Sequence, residues 1–326
     1  MNLTRSLKIS SIFFTIILGL GAAIAQDFPS RPVKVVVTFP PGGGADLTAR
    51  IISTRLAEVW KQPVLVENRL GGGGNVGADH VLKSPADGYT ILLLTASHIG
   101  NAAMLEKLTF DLLKDFTPVA LSTTSPIMLA VNPSVKAKDL KEFVELLRAN
   151  PDKMDYASCG MATTHHFSME LFKYLTKTAA VHIPHRCAQA VVEAVGGQLR
   201  AIAVTMPPAL PFVRNGQLRA IGVTSLKRSI NAPEVPTFAE SGVPELKNFA
   251  VENYYGFAVS AATPKNLVSK LEADIRKVLS EPELQKKLFA AGFDIFSKSS
   301  VDSAELLRAD LDVFQRVAKT AGIKQE

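Results

Sequence analysis

The chain has 326 residues, of which 47% are hydrophobic and 20% charged, and its formal net charge at pH 7 is +6. The basic excess is spread along the sequence without the dense basic runs or interleaved aromatic residues of a nucleic-acid groove, so we expect no nucleic-acid partner. About 300 residues of this composition can bury two hydrophobic cores, which predicts two globular lobes.

The first 25 residues have the features of a secretory signal peptide. Arg5 and Lys8 precede the apolar run IFFTIILGLGAAIA, and Ala23 and Ala25 supply the small residues of an A-x-A cleavage pattern. We therefore expect export to the periplasm and cleavage after Ala25. An uncleaved membrane anchor is the alternative interpretation, although the apolar run is short for a bilayer span.

Apolar, β-branched runs alternate with stretches of helical periodicity along most of the chain. We predict strands in KVVVTF (34–39), VLVE (64–67), YTILLLT (89–95), PIMLAV (126–131), AAVHI (179–183), AIAV (201–204), AIGVTS (220–225) and FAVSA (257–261). Stretches such as LTARIISTRLAEVW and LKEFVELLRA lie between them, and the pattern becomes helical from Pro264. This alternation predicts an α/β fold with parallel sheets covered by helices on both faces.

A glycine-rich loop follows the first predicted strand. The sequence FPPGGGADLTARI (39–51) predicts a strand end, a loop and a helix, with Asp46 placed to cap that helix. Glycines allow a ligand to approach the backbone closely, and a helix N-terminus attracts anions. Neither Lys nor Ser/Thr follows the last glycine, which argues against a nucleoside-triphosphate loop. A tight turn without a ligand is the alternative.

A second glycine run, GGGNVG at 72–77, matches the pattern G-x-G-x-x-G after the predicted strand VLVEN. The match is weak because it lies within a run of four glycines and no acidic residue follows at the spacing of a dinucleotide site. We therefore expect no dinucleotide or other cofactor. A turn without a ligand is open for this loop as well.

Cysteines and histidines are concentrated in one segment, which contains Cys159, His165, His166, His182, His185 and Cys187. An even cysteine count in an exported protein favours a disulfide between Cys159 and Cys187, and two free buried thiols are the alternative. The same side chains are candidate metal ligands, but their spacing fits no compact zinc signature. The chain also lacks a G-x-S-x-G motif, so we expect no hydrolase.

Seven stretches resemble, in order, the substrate-binding proteins of tripartite tricarboxylate transporters, the Bug or TctC type. They are PSRPVKVVVTFPPGGGADLTAR, VENRLGGGGNVGADHV, ADGYTILL, DFTPVAL, HIPHRCAQAVVEAVGGQL, GQLRAIGVTSLKRS and PEVPTFAESG. The resemblance implies a type II periplasmic binding fold of two α/β lobes and a two-segment hinge. Residues 26–125 and 250–326 would form lobe 1, and residues 126–249 would form lobe 2.

The resemblance implies a receptor without catalytic activity. A monomer would capture a small organic anion, a di- or tricarboxylate or an aromatic acid, and deliver it to the permease subunits in the membrane. A periplasmic metal-binding protein that uses the His- and Cys-containing rim of lobe 2 is the alternative.

The resemblance also implies a ligand site between the lobes. From lobe 1, it implies Phe39, the backbone N–H groups of Gly43, Gly44 and Ala45, and the neighbouring Asp46, Ser97 and Asn101. From lobe 2, it implies Ser158, Gly160, Thr163, Thr164, His165 and Thr205. Helix capping or solvation without ligand contact is the alternative for Ser97, Asn101 and the two threonines at 163 and 164.

Four residues in three stretches depart from the pattern that is common in such receptors. Met161 and Ala162 stand in a segment that is usually Gly-Asn-Gly-Thr, and His185 stands where a tyrosine is usual. Val204 stands where an aspartate is often found. Without that acid, we expect weaker discrimination in favour of ligands that carry amino or hydroxyl groups.

Overall fold

The computed structural model describes residues 28–104, 108–151 and 153–321, so the predicted signal peptide lies outside the described residues. The strands are β1 (Val33–Val37), β2 (Val64–Asn68), β3 (Thr90–Thr95), β4 (Phe116–Thr124), β5 (Ile127–Val131), β6 (Asp155–Ser158), β7 (Val181–Pro184), β8 (Ala201–Thr205), β9 (Arg219–Val223), β10 (Tyr254–Ser260) and β11 (Asp294–Lys298). The helices are α1 (Gly44–Trp60), α2 (Asn75–Lys83), α3 (Ala96–Met104), α4 (Leu112–Asp115), α5 (Leu140–Ala149), α6 (Thr164–Thr176), α7 (Cys187–Val195), α8 (Met206–Arg214), α9 (Lys265–Leu279), α10 (Pro282–Ala290) and α11 (Ser300–Ala321). Within the described ranges, no helix combines the length and the apolar character needed to cross a bilayer.

Two sheets form the centres of two lobes. The first sheet has the strand order β11-β4-β10-β3-β1-β2, and the second has the order β7-β6-β8-β5-β9. β1 is parallel to β2 and β3, and β6 is parallel to β7 and β8. A helix separates successive strands in each of these groups, as the alternating sequence pattern predicts.

Both sheets also contain antiparallel pairs, which differs from the predicted parallel sheets. β10 runs antiparallel to β3 and β4, and β5 runs antiparallel to β8 and β9. β5 enters the second sheet directly from β4, and β10 enters the first sheet from the second lobe. A strand that arrives from the other lobe is not constrained by a crossover helix, so the sequence alternation does not fix its direction.

Two chain segments connect the lobes. Residues 125–126 join β4 to β5, and residues 224–253 lead from β9 back to β10. The segments are tied together where they pass, since Ser125 N donates a hydrogen bond to Asn253 O at 3.0 Å. This pair of connections is the two-segment hinge that the resemblance implies.

One apolar cluster spans both lobes. It contains Leu94 of the first sheet and Leu129 of the second, together with residues of α3, α6 and α11. Phe167 of α6 stacks on Phe314 of α11, with ring centroids 4.2 Å apart. The lobes are therefore in contact along the cleft, and their sheets present the ends of several strands to a shared space.

Candidate functional site

The glycine-rich loop after β1 forms one wall of the cleft. Gly42 has a φ of +81°, a left-handed conformation that favours glycine, and Gly43 caps α1 without a side-chain hydrogen bond. The first N–H groups of a helix have no acceptor within the helix, and the helix dipole adds partial positive charge there. This loop can therefore bind an anion without a charged side chain.

Asp46 holds the loop from behind. Its carboxylate accepts hydrogen bonds from Gly42 N at 3.0 Å, Arg50 Nε at 2.9 Å and Asn68 Nδ2 at 3.0 Å. Burial alone would raise the pKa of Asp46, but the hydrogen bonds from Arg50, Gly42 and Asn68 outweigh it and lower the pKa. Both carboxylate oxygens are thus engaged within lobe 1, and Asp46 does not line the cleft.

A narrow cavity lies between this loop and lobe 2. Its walls are Phe39, Pro40, Gly43, Gly44, Ala45, Thr95, Ser97, His165, Cys187, Thr205, Asn253 and Tyr255. Seven of these are predicted ligand residues that come together from four separate segments: Phe39, Gly43, Gly44, Ala45, Ser97, His165 and Thr205. The cavity is the place where the two lobes share the predicted site.

The two ring nitrogens of His165 are buried on this wall and have no hydrogen-bond partner among the described residues. The side chains of Thr205 and Asn253, by contrast, interact with the hydroxyl of Tyr255. Thr205 Oγ1 and Tyr255 Oη lie beside the backbone of Gly44, on the cavity side of the loop. Because a buried polar atom without a partner is unfavourable, the imidazole of His165 indicates a polar occupant of the cavity.

The cavity is electrically neutral apart from the backbone dipoles. No Asp, Glu, Lys or Arg is among its wall residues. Burial lowers the pKa of His165 to about 3 and raises the pKa of Tyr255 to about 12, so both side chains are uncharged at neutral pH. The cavity wall therefore carries no ionised side chain at neutral pH, and the nearby Asp46 is paired with Arg50 and Gly42 N behind the loop.

The first turn of α6, in lobe 2, is hydrogen-bonded to α3 of lobe 1 beside the cavity. Ser97 Oγ lies 3.2 Å from Thr164 Oγ1 and accepts a hydrogen bond from Thr164 N at 3.1 Å. Thr163 caps α6, with its Oγ1 accepting from His166 N at 3.3 Å and donating to Gly160 O at 2.8 Å. Thr164 thus bridges the lobes, whereas the hydroxyl of Thr163 is occupied by capping.

The sequence matches one protein family over most of its length. The family described as Tripartite tricarboxylate transporter family receptor, or TctC, matches residues 48–323. The chain belongs to this family. BugT of Bordetella pertussis is 33% identical to this receptor over 296 residues, which cover 90% of the chain and 90% of BugT.

Solved structures have the same fold. Rpa4515 of R. palustris, determined with adipate, is 30% identical with a TM-score of 0.86, covering 91% of this receptor and 99% of that chain. MatC of Rhodopseudomonas palustris, with bound malate, is 30% identical with a TM-score of 0.83, covering 89% and 99%. The predicted family and the α/β fold of a periplasmic binding protein are confirmed.

The remaining predicted ligand residues of the receptor lie outside the shared cavity. They are Asp46, Asn101, Ser158, Gly160, Thr163 and Thr164. Gly160 and Thr163 line a second, neighbouring cavity, which is bounded on the other side by the glycine run 71–74. Asn101 Nδ2 donates to Gly73 O at 2.6 Å, and Ser158 Oγ lies 2.7 Å from His182 Nε2. Phe39 and Pro40 line both cavities.

The predicted disulfide between Cys159 and Cys187 is confirmed. It joins the loop before α6 to the start of α7, and its sulfurs and a ring nitrogen of His165 lie within 4.8 Å of one another. Cysteines that are bonded to each other are not thiolate ligands, so the metal-binding alternative is not supported. Of the other histidines, His166 stacks on His182 at 4.2 Å and His185 lies 3.0 Å from Glu193.

Val204 lies in the core of lobe 2. It is fully buried in β8 and packs in a cluster with Met128 and Cys187, whereas the adjacent Thr205 faces the cavity. Successive side chains of a strand point to opposite faces, so position 204 is turned away from the ligand space. The geometry therefore does not support the expectation that Val204 tunes ligand preference directly.

Three polar cavity residues were not predicted from the sequence: Thr95, Asn253 and Tyr255. Asn253 immediately precedes β10 and Tyr255 lies at its start, and this end of β10 reaches the cleft because β10 is antiparallel to β3. The polar sequence ENYY before the apolar run GFAVS was the available signal. It could not be used without knowing the direction of the strand.

Proposed function

We propose that this protein is an extracytoplasmic receptor that captures a small carboxylate in the cavity between its lobes and delivers it to a membrane permease. The observation that carries the proposal is the neutral interlobe cavity, with the open N-terminus of α1 in its wall. A carboxylate can be held there by backbone and hydroxyl donors without a buried countercharge. The relatives determined with adipate and malate support this ligand class.

In the proposed complex, the N–H groups of Gly43, Gly44 and Ala45 receive one carboxylate. Tyr255 Oη and Thr205 Oγ1, which flank Gly44, supply hydroxyl donors from the first and second lobes respectively. Phe39 covers the site. The six predicted residues outside the cavity support the loops rather than contact the ligand.

Closure of the lobes on the ligand is part of the proposal. Residues 26–125 and 250–326 form one body and residues 126–249 the other. Thr205 and His165 come from lobe 2, so a ligand that contacts them and the loop 43–45 binds the closed arrangement more tightly than the open one. Only this difference in affinity can drive closure.

The proposed receptor is a periplasmic monomer without catalytic activity, released from its signal peptide after Ala25. Its partners are the permease subunits of a tripartite tricarboxylate transporter. The match to a family of transport receptors supports this assignment.

A ligand screen on the mature protein, purified after export, tests the proposal. Ligands that bind only the folded state raise the melting temperature by mass action. We expect succinate, adipate or related carboxylates to raise it, and zinc and the corresponding amines to leave it unchanged. Calorimetric titration of each positive ligand should give one site per chain. Stabilisation by zinc alone, or turnover of a bound acid, would contradict the proposal.

A graded pair of variants at Asp46 tests whether the loop must be preorganised. Asp46→Ala removes the acceptor of three hydrogen bonds, and we expect affinity for the best carboxylate of the screen to fall about tenfold. Asp46→Asn keeps an acceptor for Gly42 N, so its affinity should be intermediate. Equal affinities in the wild type and both variants, measured by calorimetry, would show that the loop needs no support from behind.

A further inference from the structure

His165 is the least satisfied polar side chain of the cavity wall. It is 6% exposed, and neither Nδ1 nor Nε2 has a hydrogen-bond partner in the described structure. A neutral imidazole carries one donor and one acceptor, and burying both without partners is costly. The side chain therefore has no evident structural role as a hydrogen-bonding group.

The neighbours of His165 on α6 differ from it in this respect. Thr164 is bonded to Ser97 across the cleft. His166 stacks on His182, and its Nδ1 accepts a hydrogen bond from Ala162 N at 3.3 Å. Two of three consecutive polar residues thus have partners within the protein, and the one that faces the cavity has none.

The charged and titratable groups around the cavity are engaged elsewhere. Asp46 of α1 is held by Arg50, and Glu170 of α6 accepts from Tyr156 at 2.7 Å and from Lys173 at 2.7 Å. The described partners of the ring of His98 on α3 are Thr95 and Thr38. Cys187 of α7 is in the disulfide, and Tyr255 of β10 keeps its proton. A polar group of a ligand would thus meet His165 without competition from a charged side chain.

The wall offers two polar regions for one ligand. Thr205 Oγ1 and Tyr255 Oη lie beside Gly44, where the N-terminus of α1 opens. The ring of His165 instead lies within 4.8 Å of the two disulfide sulfurs, on the lobe 2 side. In the proposed complex, the backbone donors of the loop hold the first carboxylate, and the imidazole is left for a second acceptor of the ligand. A dicarboxylate would give it an acceptor.

We propose that His165 donates a hydrogen bond to a second carboxylate of the ligand and so makes the site selective for dicarboxylates over monocarboxylates of the same length. The inference rests on the proposed function, because it assumes that the loop 43–45 holds the first carboxylate. In this proposal, His165 determines the selectivity between dicarboxylates and monocarboxylates. The loop 43–45 contributes the binding free energy that both kinds of ligand share.

Comparing each dicarboxylate with the monocarboxylate of the same length separates the role of His165 from that of the loop. Calorimetric titrations would compare succinate with butyrate and adipate with hexanoate, using the wild type, His165→Leu and His165→Gln. We expect the wild type to prefer at least one of the dicarboxylates over its partner by about tenfold. His165→Leu should remove that preference by weakening the dicarboxylate, while the monocarboxylate changes less than about threefold. His165→Gln, which keeps a donor, should recover part of the preference.

His166→Gln is the matched control, because the altered residue is adjacent and buried but does not line the cavity. It should leave the ratio of dicarboxylate to monocarboxylate affinity unchanged, and melting temperatures would establish that each variant is folded. Equal losses for both acids in His165→Leu, or a wild type without a preference for either dicarboxylate, would overturn the role of His165 alone. A wild type that binds none of the four acids would overturn the proposed function as well. If His165→Leu does not fold, His165→Gln decides: a reduced dicarboxylate-to-monocarboxylate affinity ratio with retained monocarboxylate affinity supports the role, whereas an unchanged ratio, including one that results from parallel losses, rejects it.

Discussion

Gly44→Ala is expected to reduce the affinity for a carboxylate by about 100-fold, or about 2.7 kcal/mol. A β-carbon at this position would clash with Tyr255 Oη and lie 2.8 Å from Thr205 Oγ1. Neither atom can be avoided cheaply, because Tyr255 is anchored in β10 and Thr205 lies in lobe 2 at the end of β8. The methyl group would fill the space beside the loop donors and hold the lobes apart.

Gly43→Ala is the matched control, one residue earlier in the same loop. A β-carbon there would meet Cys187 Cβ and Sγ at 3.7 Å, an ordinary van der Waals distance, and Gly43 has a φ of −81°. We expect its affinity to stay within about threefold of the wild type. Titration of both variants with succinate and adipate, with melting curves to check folding, tests the pair. Similar affinities in the two alanine variants would remove Gly44 from the site.

The sequence was sufficient to predict the loop but not to distinguish its two central glycines. Consecutive glycines before an amphipathic helix predict a close approach of the backbone to a ligand. Gly44 has no room for a β-carbon because Tyr255 and Thr205, which are remote in sequence, lie beside it. That contact is set by how β10 and β8 enter the cleft, and no local pattern records it.

Most strands could be predicted because buried strands of a covered sheet are apolar throughout. β4, β6 and β11 were missed for local reasons. β4 contains Pro118 and ends in the polar run STT, although it pairs with both β10 and β11. Proline is usually excluded from the interior of a sheet, so its presence argued against a strand. β6 is only four residues long, and β11 alternates in exposure at an edge of its sheet.

The predicted ligand residues of lobe 2 show the same limit. The resemblance implies ligand residues between Ser158 and His165, and of these only His165 lines the interlobe cavity. Thr163 and Gly160 face the neighbouring cavity because the capping turn directs them there. The position of a helix N-terminus can be predicted from a sequence. Which of its first residues face the cleft cannot.

Reducing the disulfide is expected to weaken both the fold and the site. The bridge closes a loop with a sequence separation of 28 residues. In the chain-entropy model such a cross-link contributes about 3 to 4 kcal/mol, because it restricts the unfolded chain. For a protein of this size, we expect the melting temperature of Cys159→Ala/Cys187→Ala to fall by about 5 to 10 °C.

The loss of affinity should be separate from the loss of stability. Cys187 lines the ligand cavity and Cys159 lines its neighbour, so the bridge fixes the wall between the loop before α6 and the start of α7. Without it, His165 and the wall opposite Gly43 must be ordered when the ligand binds, and we expect about a tenfold weaker affinity at a temperature where the variant remains folded. A phosphine reductant should reproduce both effects in the wild type and have neither effect on the double variant. An unchanged melting temperature and affinity after complete reduction, verified by alkylation of two thiols, would show that the bridge stabilises neither the lobe nor the wall of the cavity.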